Sequence, residues 1–134
     1  MPDAEIVVRG FLTLLEDGAA DQAIGLLAED VEWRNTGLPS VRGKKRVGGL
    51  LRDMEKRRIG FEARLKHVAT TGNVVLTDRI DVIKFGRFAN EFWVCGTFEV
   101  RDGLITLWDD HLSLANFTKG AAMGVLRAIV PGKR

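Results

Sequence analysis

Residues 74–85 read VVLTDRIDVIKF. A strand turns successive side chains to opposite faces, so Val75, Thr77, Arg79, Asp81, Ile83 and Phe85 share one face, and Val74, Leu76, Ile80 and Val82 share the other. Arg79 and Asp81 therefore point the same way. A turn at Thr71-Gly72-Asn73 joins this strand to an extended stretch over Phe61–Thr70. Downstream, extended runs over Glu91–Arg101 and Leu104–Asn116 meet at Asp102-Gly103. The central half of the chain thus reads as a series of hairpins.

Upstream the period changes. Val7, Phe11, Leu14 and Leu15 fall on one stripe of a helix over about Ala4–Glu16, which Asp17-Gly18 stops. A second helix is expected over Asp21–Ala28 and a third over about Lys44–Arg57, the latter weakened by Gly48-Gly49. Between them lie the short segment Val31–Asn35 and a loop carrying Gly37, Pro39 and Gly43. Near the end, Thr118 is placed to cap a last helix bearing Ala122, Val125, Leu126 and Ile129, which Pro131-Gly132 ends. Helices first and an antiparallel meander afterwards predict an α+β fold: helices cover one face of a curved, mostly antiparallel sheet that encloses a pocket. There are no internal repeats or linkers, and 134 residues with 46% apolar content suit one domain over 1–134.

Composition narrows the function classes. The net charge of +2 provides no field to draw the protein to nucleic acid or anionic lipid. No apolar run has secretory or membrane-spanning length, so a cytoplasmic protein with no membrane or nucleic-acid partner is expected. The single cysteine, Cys95, excludes an intramolecular disulfide and a zinc site built from several thiolates. Cys95 reads as a small buried core residue. The basic stretch from Arg42 to Lys66 reads as a solvated helix face, because no aromatic platform interleaves it. Gly37 to Lys44 has the wrong spacing for a phosphate loop, and no Gly-x-Ser-x-Gly elbow is present.

Polar residues break the apolar pattern in the last strand. Alternation puts Leu104, Thr106, Trp108, Asp110, Leu112 and Leu114 on one face, which sets a carboxylate between a tryptophan and two leucines. An ionised carboxylate there costs several kcal/mol, roughly, unless it is paired, and Arg79 is the obvious partner. One reading is a structural ion cluster of Arg79, Asp81 and Asp110 that fixes strand register. The other is an acid-base dyad, in which a shared arginine pushes two carboxyl pKa values apart until one serves as base and the other as proton donor.

Arg79-Ile80-Asp81, Trp108-Asp109-Asp110, and Asn35 in Trp33-Arg34-Asn35 followed by Leu38-Pro39 together resemble the limonene-1,2-epoxide hydrolase family. The likeness runs from the first helix to about Phe117. It implies a nuclear transport factor 2-like cone, a homodimer, no cofactor and no metal. It further implies that Asp110 is the general base that deprotonates a water and that Asp81 protonates the oxygen of an apolar epoxide. Arg79 would bridge the two carboxylates. The family holds its water with an asparagine and a tyrosine. Asn35 matches the first, but Trp33 stands at the tyrosine position, and the chain has no tyrosine. An indole N–H donates one hydrogen bond and accepts none. The family's arginine before the base is here Asp109. Leu38, Ile83, Leu112, Phe117 and Val125 are the expected pocket wall, and Phe85, Phe88, Phe92 and Met123 are further candidates for it. His111 falls on the opposite strand face from Asp110, which makes a histidine-aspartate pair awkward. It keeps open the alternative of a polyketide cyclase-like enzyme, beside that of a non-catalytic small-molecule-binding protein of the same fold.

Overall fold

The computed structural model describes residues 3–129. Helix α1 (Ala4–Glu16) starts at Asp3, whose carboxylate accepts from the Glu5 amide at 3.1 Å. It buries Val7, Val8, Phe11 and Leu12, and the chain leaves it through Gly18 at φ 70°, a conformation that favours glycine. Helix α2 (Ala20–Ile24) is shorter than the Asp21–Ala28 predicted. It ends at Gly25, and Leu27 and Ala28 open strand β1 (Leu27–Asn35), where Leu27 is fully buried and paired with Ile105. The apolar pair that read as helix is consumed by the sheet. Strand β2 (Val41–Arg42) pairs with β1, and helix α3 (Lys44–Lys56) follows. Gly48 does not break α3, because a Cβ there would sit 3.2 Å from the Ile24 side chain, so the glycine allows α2 and α3 to pack closely. Arg52 of α3 and Arg57 just after it are exposed and paired, Arg52 with Asp21 at 2.8 Å and Arg57 with Asp53 at 2.9 Å.

The meander forms as expected: β3 (Gly60–Thr71), β4 (Val74–Phe85), β5 (Phe88–Arg101) and β6 (Leu104–Leu112). The sheet has six strands in the order β2-β1-β6-β5-β4-β3, and β1 joins β6 in parallel while the other neighbours are antiparallel. Its inner face carries Val75, Phe98, Val100, Ile105 and Trp108, which pack with Val8 and Phe11 of α1 and Leu51 of α3 into the core. The expected alternation in β6 fails at its start. The register with β5 shifts between Glu99 and Val100, so Ile105, not Leu104 or Thr106, is buried with Trp108.

Strand β6 stops four residues earlier than predicted. Ser113, rather than Thr118, stands before helix α4 (Leu114–Ile129): its hydroxyl accepts from the Asn116 amide at 3.2 Å and its carbonyl from the Phe117 amide at 2.9 Å. Helix α4 lies across the start of β5. A Cβ at Gly120 or Gly124 would collide with the carbonyls of Glu91 and Ala89, so these glycines permit the close approach. The Pro131-Gly132 stop lies outside the described residues.

Candidate active site

Register decides which polar side chains meet. Asp110 on β6 pairs with Asn35 on β1 and with Gly96 on β5, and Gly96 in turn pairs with Thr77 on β4. One row across the inner face therefore reads Thr77, Gly96, Asp110, Asn35. Trp33 pairs with Trp108 in the adjoining row of the parallel strands, and their rings stack at 4.2 Å with 9° between planes.

Arg79 is completely buried. Its Nε donates to Asp81 Oδ1 at 2.7 Å, and its Nη2 donates to Asp81 Oδ2 at 3.0 Å and to Asp110 Oδ2 at 2.7 Å. The guanidinium thus bridges the two carboxylates, as the family resemblance implied, with Asp81 on its own strand face as alternation predicted. Trp108 Nε1 adds a fourth bond, to Asp110 Oδ2 at 3.0 Å. Asp110 Oδ1 and Trp33 Nε1 are buried and have no hydrogen-bond partner among the described residues. Burial pushes the Asp110 carboxyl up to about 6, against the pull of Arg79 and with the charge of Asp81 adding to the rise. Burial opposes the Arg79 charge, but the charges of Asp110 and Asp81 and their hydrogen bonds outweigh it and hold the guanidinium protonated.

The two carboxylates and the two tryptophans, but not the arginine between them, line a cavity of about 490 Å³. Trp33, Asn35, Asp81, Trp108 and Asp110 supply its polar wall, and Leu15, Leu51, Met54, Ile59, Phe61, Ile83, Phe92, Val94, Leu112 and Phe117 its apolar body. Leu38, 68% exposed, and Phe117, 39% exposed, stand at the rim. Val125 is a correction: it is 52% exposed on α4 and lies outside the lining, because Gly124 rather than Val125 meets the sheet. Of the further candidates, Phe92 lines the cavity and stacks edge-on with Phe117 at 4.9 Å, whereas Phe85 and Met123 are exposed and half-buried Phe88 lies outside the lining.

Glu55 of α3 also lines the cavity, its carboxylate accepting from the Ala20 amide at 2.8 Å, whereas His111, Asp109 and Cys95 lie away from it. His111 is exposed on the outer face beside Asp109, their closest atoms 3.3 Å apart. Asp109 also sits 3.7 Å from Arg34, so the departure at this position falls outside the cavity. Cys95 is half-buried on the same outer face, paired with Asp78 and His111, not in the core where the sequence placed it. Among the described residues no group of three or more His, Cys, Asp or Glu is arranged to hold a metal ion, and no helix is long and apolar enough to cross a membrane.

Sequence reasoning missed Trp108 as a donor to Asp110, although its place two residues before the carboxylate on the same strand face was a usable signal. It also missed the cavity wall from α1 and α3, for which a strand pattern holds no signal.

The limonene-1,2-epoxide hydrolase catalytic domain model matches residues 2–123. The chain is 38% identical over 124 residues to the epoxide hydrolase EphG of Mycobacterium tuberculosis, a match that spans 92% of this chain and 83% of the relative. A solved structure of an M. tuberculosis epoxide hydrolase of the limonene-epoxide-hydrolase-like type superposes with a TM-score of 0.91 at 37% identity, over 96% of each chain. A nuclear transport factor 2-like protein of unknown function from Cytophaga hutchinsonii superposes at 0.67 with 19% identity, over 84% of this chain and 92% of that one, and shares the fold. Together with the arginine-bridged carboxylates at the cavity wall, these matches establish that the chain belongs to the limonene-1,2-epoxide hydrolase family.

Proposed function

We propose that this protein converts an apolar epoxide to a vicinal diol by a single attack of water, without a covalent enzyme intermediate. The observation that carries this reading is Asp110 Oδ1: a buried carboxylate oxygen on the cavity wall, with no partner among the described residues, next to Asn35 across the strand pair. Its second oxygen is fixed by Arg79 and Trp108, so Oδ1 is the one that accepts a proton from water. The water oxygen bonds to an epoxide carbon while the C–O bond opens, and Asp81 delivers a proton to the departing oxygen. Asp110 then holds a proton and Asp81 has lost one, and the Arg79-bridged pair resets by exchange. Asn35 and the Trp33 indole N–H hold the water. Placing it beside the base accounts for much of the rate, since orientation replaces an entropic cost.

The composition of the wall supports the substrate class. A cavity of about 490 Å³ lies within the ~300–1,000 Å³ typical of ligand pockets, and its apolar body suits a terpene-, cyclic- or lipid-like epoxide. Diol formation from a panel of such epoxides, with wild type beside Asp110→Asn, tests the function. A single turnover in heavy-oxygen water tests the mechanism: direct attack puts the label in the diol, whereas an ester intermediate leaves it in the protein.

The chain works as a homodimer on this reading. Leu76 and Trp93 stand 48% and 44% exposed on the outer sheet face, which supports a second copy packing there. Light scattering that shows only monomer at micromolar concentration refutes this.

A further inference from the structure

We infer that Thr77 and Gly96 are positioning residues for the reaction: together they form the seat that holds the Arg79 guanidinium across the sheet between Asp81 and Asp110. The inference rests on the acid-base reading of this site and adds to it two residues that touch neither water nor substrate.

Arg79 is on β4 and Asp110 on β6, with β5 between them. Two strand spacings amount to about 10 Å, so the arginine has to reach over β5 to touch the second carboxylate. Its own neighbour on β5 is Val94, but the side chain leans into the adjoining row, where the β5 residue is Gly96. A Cβ on Gly96 would overlap Arg79 Nη1 and would lie 2.8 Å from Thr77 Oγ1 and 2.9 Å from Asp110 Oδ1. Gly96 has no positive φ, so its backbone does not ask for glycine. The space above it does: glycine within a strand marks a close approach, here by a guanidinium.

Thr77 fixes how that guanidinium is turned. Its hydroxyl donates to the Gly96 carbonyl at 3.3 Å, which leaves a lone pair for Arg79 Nη1, 3.1 Å away. Nε and Nη2 are committed to the carboxylates, so Thr77 supplies the acceptor for the remaining nitrogen in a site that is buried throughout. The Phe98 ring, 5.8 Å from Arg79 Cζ, backs the cation. Without the hydroxyl, Nη1 is left buried and unpaired, and the arginine loses its fixed orientation toward Asp110.

The test uses Thr77→Val, which keeps the β-branched shape, and Thr77→Ser, which keeps the hydroxyl. For Thr77→Val, kcat should fall about tenfold or more with KM within about twofold, and Thr77→Ser should recover most of the loss. A readout without substrate is the ionisation of the Asp110 carboxyl followed by carbon NMR. It should move up by about half a pH unit or more in Thr77→Val, because a loosened Arg79 stabilises the carboxylate less. An unmoved titration together with wild-type kcat, or a Thr77→Ser variant as impaired as Thr77→Val, overturns the inference. If Thr77→Val does not fold, Gly96→Ala, which crowds the same guanidinium, is titrated instead, and an unmoved Asp110 is again fatal. A wild-type protein that opens no epoxide refutes the proposed function alone, since the NMR titration still decides whether the seat sets the ionisation of Asp110.

Discussion

Trp33 and Trp108 occupy directly paired positions on two parallel strands, and their indoles lie stacked 4.2 Å apart, one with its N–H bonded to Asp110 and the other with its N–H unpaired among the described residues. The two indoles therefore do different work. Trp108 fixes one oxygen of the Asp110 carboxylate, and the stack holds Trp33 at the cavity wall.

Trp33→Phe removes the free donor and retains a ring to stack on Trp108. If Trp33 helps to hold the attacking water, turnover should fall by roughly tenfold while the circular dichroism spectrum stays unchanged. Trp33→Tyr restores a group that both donates and accepts, and its turnover should match or exceed wild type. A silent Trp33→Phe assigns the indole to the cavity wall alone.

The rim makes a separate prediction about substrate binding. Phe117 lines the cavity against Phe92, whereas Val125, two turns further along the same helix, faces out of it. Phe117→Ala should raise KM for a bulky apolar epoxide several-fold by removing apolar contact, and Val125→Ser should leave KM within about twofold. Steady-state kinetics on one substrate compares the two directly, and an equal effect from both would place the helix differently against the cavity.

Acidity should gate the reaction. On the proposed mechanism Asp110 is ionised while Asp81 keeps its proton, so the pair works with one proton between them. The rise of Asp110 to about 6 includes the charge of an ionised Asp81 and therefore belongs to the loss of that last proton, not to the acid limb. The value of kcat/KM should fall at low pH, by about tenfold per pH unit once the pair is doubly protonated. An alkaline limb should follow where the bridged pair loses the proton that Asp81 must deliver, and both limbs belong to the pair. A profile flat from pH 4 to 8 would remove Asp110 from the role of base.

The meander was legible because alternation is local: Val74–Phe85 alone places Arg79 and Asp81 on one face, and β4 has those bounds. Asp110 was legible as a charge among apolar neighbours. What the pattern did not hold was relational. The shift near Val100 that buries Ile105 depends on pairing between strands, and the place of Leu27 in β1 depends on its parallel neighbour β6. Val125 was misplaced for the same kind of reason. Helical periodicity marked an apolar stripe on α4, but the glycines at 120 and 124 decide which side of that helix meets the sheet. Gly96 and Thr77 read as ordinary strand residues until the reach of Arg79 across β5 gives them a task.

Asp110→Asn should cost activity and add stability. Diol formation should drop by about a hundredfold or more, since the proposed mechanism loses its base. The same carboxyl is raised from 3.8 to about 6 in the folded protein, so between those values the folded state holds a proton that the unfolded chain has released. Stability from this group is thus greatest at low pH, declines as pH rises through that window, and stays reduced above about 6. The deficit is roughly 3 kcal/mol at most by the usual conversion, and it already includes the pull of Arg79. Asparagine carries no charge to desolvate and still offers an oxygen to Arg79 and Trp108. At pH 8 the variant should melt about 5 °C or more above wild type, and the gap should close toward pH 4, where the wild-type carboxyl is also neutral in the folded state. Thermal unfolding followed by circular dichroism at both pH values checks this. A variant that melts below wild type at pH 8 would mean that the charge of Asp110 holds the sheet together, and the arginine bridge would then be structural before it is catalytic.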